Sequence, residues 1–158
     1  MIYLIGIGQS LRGDDGAGLA AVRFWDEIYR NPARQANLRV ELAECPGVGL
    51  LDLLEGADAA VLVDAVQSGA KPGTLHKFSE SDLAAFLDGA DSAHGWGVAE
   101  TLALGRQLDL ERLPPEIVII GIEAGQVGIG GELSPEVTAA LPHAARLISE
   151  TLAEFLSQ

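Results

Sequence analysis

The sequence is poor in cysteine, in basic residues and in long apolar runs, and each shortage excludes a class of protein. Its single cysteine, Cys45, rules out an internal disulfide and a cysteine-rich metal site. Ten basic residues against twenty-three acidic ones give a net charge of −13, which disfavours binding to nucleic acid or to an anionic membrane surface. No apolar run approaches the roughly 20 residues of a membrane helix, and no basic stretch precedes the first apolar run. We therefore expect a soluble cytoplasmic protein.

The apolar content is sufficient for one folded domain. The chain has 158 residues, 48% of them hydrophobic, and no linker or repeat divides it, so we expect a single domain over residues 1–158. Apolar runs at 2–7, 59–65 and 116–122 are typical of strands buried on both faces, and amphipathic helical patterns separate them. This alternation predicts an α/β sandwich with a mainly parallel sheet and helices on both of its faces.

The remaining elements follow from local signals. The segment 74–78 reads as a strand, and the loop before it is too short for a parallel crossover, so it should be an antiparallel strand at the sheet edge. Ser134-Pro135-Glu136 is a strong helix start. The other predicted elements are a strand at 38–42 and helices at 16–29, 50–54, 82–87 and 98–108.

The first eighteen residues combine a strand, a glycine-rich turn and two adjacent carboxylates at the start of a helix. Gly6 and Gly8 match part of a dinucleotide-binding fingerprint, but its third glycine is replaced by Leu11, and no P-loop signature follows. Asp14 and Asp15 would repel a phosphate at the helix N-terminus, whereas a cation would be attracted. A nucleotide-binding domain is therefore the disfavoured alternative. The structural interpretation is that Asp14 caps the helix and Asp15 lies in its first turn.

Three residues form a candidate metal site. Ligands of open parallel sheets bind beyond the carboxyl ends of the strands, and this is where the chain delivers Asp15 and Asp64. The third is His94, in a glycine-flanked loop. A loop-anchoring role stays open for Asp64 and His94, while His76 and His143 are expected at exposed positions. Two carboxylates and an imidazole suit a divalent transition metal and leave coordination positions open.

Several motifs resemble those of the hydrogenase maturation proteases, endopeptidases that process the large subunit of nickel–iron hydrogenases. They occur in the family's order and span nearly the whole chain. The matching segments are Gly6-Ile-Gly-Gln-Ser-Leu-Arg-Gly-Asp-Asp-Gly-Ala-Gly18, Leu62-Val-Asp-Ala65, Ser92-Ala-His94, Ile119-Ile-Gly-Ile-Glu123 and Leu133-Ser-Pro-Glu-Val137.

The resemblance implies both a fold and a mechanism. The fold is a twisted sheet of about five strands between helices. Asp15, Asp64 and His94 correspond to residues that bind nickel, and they are the expected catalytic and metal-binding residues. The nickel is expected to arrive with the precursor of the hydrogenase large subunit, whose C-terminal extension is then removed. A non-enzymatic nickel-binding or metal-delivery module that uses the same three residues is the alternative.

Two departures from the family pattern concern substrate choice. The first loop of the family usually reads Gly-Asn, whereas Gln9 follows Gly8 here. The loop after the second strand often carries Asp-Gly-Gly, and the corresponding stretch here is Cys45-Pro46-Gly47. These differences leave the reaction class intact but leave open which hydrogenase is processed. A thiol hydrolase that uses Cys45 is a further, disfavoured alternative, since Pro46 removes a nearby backbone donor.

Overall fold

A computed structural model describes residues 1–33, 35–88, 97–108 and 112–157 of the chain. Strands and helices alternate along these ranges, as the sequence predicts. The strands are β1 (Ile2–Gly8), β2 (Leu38–Glu44), β3 (Ala59–Val66), β4 (Leu75–Ser79) and β5 (Glu116–Glu123). The helices are α1 (Ala17–Tyr29), α2 (Gly49–Leu54), α3 (Glu80–Asp88), α4 (Val98–Leu108) and α5 (Pro135–Leu156), and a 3₁₀ turn (Gly13–Gly16) precedes α1.

The five strands form one sheet in the order β2-β1-β3-β5-β4. The pairs β1–β2, β1–β3 and β3–β5 are parallel, and β4 alone runs antiparallel, at the edge beside β5. Only eight residues separate β3 from β4, too few for a parallel crossover. The predicted mainly parallel sheet with one antiparallel edge strand is therefore confirmed.

Helices cover the sheet on both faces because successive side chains of a strand point to opposite sides. In β1, Ile2 and Leu4 pack into the core under α1 and α5, while Tyr3, Ile5 and Ile7 pack into the core under α2 and α4. All seven residues of β1 are buried, as expected for a central strand. The predicted three-layer α/β sandwich is confirmed.

Helix starts follow the local signals. Ser134 caps α5 by accepting a hydrogen bond from the Val137 N–H, and Pro135 occupies its first turn. Ser79 caps α3 by accepting a hydrogen bond from the Asp82 N–H at 3.2 Å. The longest helix, α5, spans 22 residues and is amphipathic. In the ranges that the structure describes, no helix combines the length and apolar character needed to cross a bilayer.

Candidate active site

A cavity of about 310 Å³ opens where the loops that follow β1, β2, β3 and β5 meet. This is the carboxyl edge of the parallel strands, where α/β folds place their ligands. The start of α4 completes the wall with Gly97 and Val98. The polar or reactive side chains that line the cavity are those of Gln9, Arg12, Asp15, Cys45, Asp64 and Gln67.

Close backbone contacts hold Asp15 at this edge. A Cβ on Gly8 would lie only 2.2 Å from the carbonyl oxygen of Asp15, so only glycine permits this approach. The same carbonyl accepts a hydrogen bond from the Gln9 N–H at 3.1 Å. A Cβ on Gly18 would lie 2.2 Å from the Val63 carbonyl oxygen, and this closeness lets α1 press against the sheet. The glycines of the first motif therefore position a carboxylate.

Asp14 has a different role from its neighbour. It is fully buried, and its carboxylate accepts hydrogen bonds from the N–H groups of Gly125, Gln126 and Ser134 and from the Ser134 hydroxyl, at 2.6–2.8 Å. Burial raises the pKa of Asp14, but these donors outweigh it, so the pKa is lowered and the group is charged at neutral pH.

The prediction that Asp14 caps α1 is wrong. No side chain caps that helix, whose N-cap residue is Gly16. Asp14 instead joins the loop after β1 to the loop between β5 and α5, and it binds the N-terminus of α5 through Ser134. A buried carboxylate is satisfied there because backbone N–H groups at a helix start lack intrahelical partners.

Asp64 lies two residues before the end of β3 and lines the cavity, and its surroundings disfavour the charged form. Loss of water around the carboxyl and the negative charge of Asp15 raise its pKa from 3.8 to about 8, although the Ala65 N–H, which donates to Asp64 Oδ1 at 2.8 Å, acts in the opposite direction. Asp15 and Asp64 are thus close enough to interact electrostatically. Two carboxyls that line one cleft, one of them with a pKa raised mainly by burial, are typical of a functional site.

The cavity therefore brings together two of the three predicted metal-binding residues. His94 lies outside the described residues. Gly97, three positions later, lines the cavity, and three residues of chain span at most about 10 Å. Within the described ranges, which omit His94, no three His, Cys, Asp or Glu side chains form a group able to hold a metal ion. The expected ligand set stays a prediction.

The prediction for His143 is confirmed, since it is exposed on α5, but that for His76 is wrong. His76 is only 17% exposed, and its Nε2 lies 3.1 Å from Oε2 of the buried Glu123. Glu123 also accepts hydrogen bonds from the Ser68 N–H at 2.6 Å and the Ser68 hydroxyl at 2.9 Å. This network fixes the start of the β3–β4 loop, where Gln67 lines the cavity.

No role was predicted for Glu123 from the sequence, although the pattern of its strand offered one indication. Like Asp64, it is an acidic residue that follows an apolar run within its strand, and charged residues are rarely buried without partners. Its partners could not be read locally, because Ser68 and His76 lie 55 and 47 residues away along the chain.

Comparison with known proteins decides the family. A model described as hydrogenase maturation protease matches residues 26–151. The chain belongs to the hydrogenase maturation protease family. This maturation protease is 32% identical over 155 residues to the hydrogenase expression/formation protein HoxM of Azotobacter vinelandii, an alignment that covers 97% of this chain and 72% of that protein. It is also 30% identical over 156 residues to HupD of Thiocapsa roseopersicina, with 98% and 68% covered.

Solved structures agree with this assignment. The [NiFe] hydrogenase maturation protease HybD from Thermococcus kodakarensis superposes with a TM-score of 0.76 at 32% identity, covering 96% of this chain and 98% of that one. The resemblance in motifs is therefore confirmed at the level of the family, the fold and the reaction class. The maturation protease is a hydrolase whose cavity holds Asp15 and Asp64, and both departures from the family pattern, Gln9 and Cys45-Pro46-Gly47, line that cavity.

Proposed function

We propose that this endopeptidase removes a C-terminal extension from the precursor of a nickel–iron hydrogenase large subunit, and that it recognises the nickel already bound to that precursor. Asp15, Asp64 and His94 are the proposed nickel-binding and catalytic residues. The observation that supports the proposal most is the pairing of Asp15 with Asp64 in one cavity at the carboxyl edge of the sheet.

The chemistry of this pair suits a metal that belongs to the substrate. Two carboxylates offer oxygen ligands, and with one imidazole they leave coordination positions for groups of the precursor. Burial of Asp64, with a smaller contribution from the charge of Asp15, raises the pKa of Asp64 to about 8 and so favours its protonated form near neutral pH when no cation is near. A cation would favour the ionised form of both carboxyls, so we expect the site to be filled only when the loaded precursor arrives.

Asp64 would exchange a proton during recognition. Its Oδ1 accepts the Ala65 N–H, which leaves Oδ2 as the oxygen that carries the proton near neutral pH. A metal ligand must be deprotonated, so binding of the loaded precursor should release this proton. The nickel of the precursor would act as a Lewis acid or would place the bond to be cut beside the two carboxylates.

The walls of the cavity would determine which hydrogenase precursor is accepted as substrate. Gln9 contributes a side-chain amide to one wall, and Cys45, Pro46 and Gly47 contribute the short loop after β2. Cys45 is exposed and has a φ of 45°, so this loop follows a backbone path that few residues with side chains adopt. Substrate recognition in this region is consistent with a family that keeps its reaction and varies its partner.

The proposed site is tested by Asp15→Asn. Loss of a ligand charge should reduce cleavage of the nickel-loaded precursor at least 100-fold, measured as the rate at which the extension is lost by mass spectrometry. Circular dichroism should show an unchanged fold, since Asp15 is partly exposed. The control is Asp26→Asn, which removes a carboxylate of the α1 surface that pairs with Arg30. Equal activity of Asp15→Asn and the control would remove Asp15 from the site.

The thiol alternative is tested by Cys45→Ala. The cavity wall contains Cys45, but no histidine lines it among the residues that the structure describes. We expect Cys45→Ala to keep cleavage within about threefold of the wild-type rate, because the proposed mechanism uses no thiolate. A loss as large as that of Asp15→Asn would instead make Cys45 the nucleophile.

A further inference from the structure

Three exposed apolar residues lie within two positions, along the chain, of residues that line the cavity. Ile129 and Leu11 are the two most exposed large apolar residues of the described ranges, at 105% and 76%, and Val48 is fourth at 66%, after Leu108 at 71%. Each lies one or two positions from a residue that lines the cavity, namely Val127, Arg12 and Gly47 respectively. We call Leu11, Val48 and Ile129 the apolar rim. Singly scattered exposed apolar residues need no explanation, but a group around one cavity indicates an interaction site.

Backbone hydrogen bonds hold the segments that carry two of the rim residues, Leu11 and Ile129. The Gly130 N–H donates to the Leu11 carbonyl at 3.1 Å, and the Gly13 N–H donates to the Gly130 carbonyl at 2.7 Å. The segments that carry Leu11 and Ile129 therefore run side by side as an isolated parallel bridge. The buried carboxylate of Asp14 ties the same two loops together. The apolar side chains are thus presented to solvent on anchored backbone, and the loops hold them out of the core.

We propose that the apolar rim docks apolar side chains of the hydrogenase precursor that flank the bond to be cut. Each rim residue is one or two positions from a residue that lines the active-site cavity, so a polypeptide whose peptide bond reaches Asp15 and Asp64 would run close to the rim. The protein carries a net charge of −13. Contacts between neutral apolar side chains do not depend on that charge. Removal of apolar surface from water would add affinity for the precursor without altering the chemical step. This inference rests on the proteolytic function and not on recognition of nickel.

The test replaces rim residues by a neutral polar one, so that the electrostatics of the site are unchanged. The double variant Leu11→Asn/Ile129→Asn should raise the KM for the nickel-loaded precursor about tenfold and leave kcat within twofold. The matched control is Leu108→Asn, because Leu108 is 71% exposed and lies at the far end of α4, about 15 Å along the helix from Val98. Its KM should equal that of the wild type. The conservative pair Leu11→Met/Ile129→Leu should keep the wild-type KM.

A KM of the double variant within twofold of the Leu108→Asn value would overturn the proposal. A fall in kcat at unchanged KM would do the same, since it would place the effect on catalysis and not on docking. If the wild-type protein left the loaded precursor uncut, the proposed function would fail by itself. The rim would then be tested by the Kd for that uncut precursor, and equal values for the double variant and the control would reject it.

Discussion

Asp14 and Asp15 are consecutive carboxylates with opposite environments. Asp14 is buried among four hydrogen-bond donors that hold its pKa below the ordinary value. Asp15 is partly exposed in the cavity, and its charge adds a small increase to the pKa of Asp64, which burial raises most. Asp14 therefore stabilises the loops, whereas Asp15 lies at the cavity, where we propose that it binds a cation. Asp14 and Asp15 are neighbours in the same 3₁₀ turn, and this difference of one position places one carboxylate in the interior and the other at the cavity.

Substitution of Asp14 should cost stability and not chemistry. The carboxylate of Asp14 now accepts hydrogen bonds from three backbone N–H groups and one hydroxyl. Asp14→Asn places an amide NH₂ group against some of these donors, and at least one buried donor is then left unpaired. We expect the free energy of unfolding to fall by about 3 kcal/mol, measured by urea denaturation. Asp26→Asn, which removes a surface ion pair, should change it by less than about 0.5 kcal/mol. Equal stability of the two variants would contradict the role given to Asp14.

The raised pKa of Asp64 predicts that the stability of the protein depends on pH. Its pKa in the folded protein is raised to about 8, so between pH 4 and 8 the folded state holds a proton that the unfolded state releases. Stability should therefore fall as the pH rises through this range. Asp64→Asn removes this pH dependence, so the variant should be more stable than the wild type at pH 8. We expect a difference of about 2 kcal/mol, because water that enters the cavity lowers the cost of ionising the Asp64 carboxyl. The difference should vanish near pH 4.

Urea denaturation of the metal-free protein at pH 4, 6 and 8 measures this. A wild-type protein that is more stable at pH 8 than Asp64→Asn would show that the carboxyl is ionised and well stabilised in the fold. That result would remove the argument that the pair of carboxyls is held ready for a cation.

At the scale of elements, the contact of helix α1 with strands β1 and β3 positions the carboxylate of Asp15. A Cβ at Gly18 would lie 2.2 Å from the Val63 carbonyl oxygen and 2.4 Å from that of Ile7, both rigid backbone atoms. The helix can therefore pack only with glycine at this position. Because Asp15 lies in the turn that precedes α1, any displacement of the helix moves this carboxylate away from Asp64.

Gly18→Ala should therefore impair both folding and cleavage. We expect the free energy of unfolding to fall by about 3 kcal/mol, as for an overpacked core site, and the cleavage rate of the folded fraction to fall with it. Gly49→Ala is the matched control, because Gly49 is also in the first turn of a helix and nothing lies within 4 Å of the added Cβ. Wild-type stability of Gly18→Ala would show that α1 does not pack as closely as described.

The elements themselves could be predicted from local sequence, and their long-range contacts could not. The apolar run from Ile2 to Ile7 and the start signal Ser134-Pro135 each act through neighbouring residues, and both were read correctly. The partners of Asp14 lie 111 to 120 residues away, so the local rule for helix caps assigned it to the wrong helix. His76 was placed at the surface for the same reason, since its partner is on another strand.

At the scale of the whole molecule, parallel topology accounts for the candidate site. The carboxyl ends of parallel strands share one edge, so Asp15 and Asp64 could be expected together before their geometry was known. The shape of the cavity, the raised pKa of Asp64 and the role of Glu123 depend on burial and on contacts between loops. Those quantities arise only when the chain is packed, and no spacing in the sequence encodes them.

The most direct test is mass spectrometry of the cognate large-subunit precursor after incubation with this protein, in nickel-loaded and nickel-free forms. We expect the C-terminal extension to be lost from the loaded form only. Equal cleavage of both forms would contradict recognition of nickel and leave an ordinary endopeptidase. Cleavage of neither form would contradict the proposed function and favour a metal-binding module.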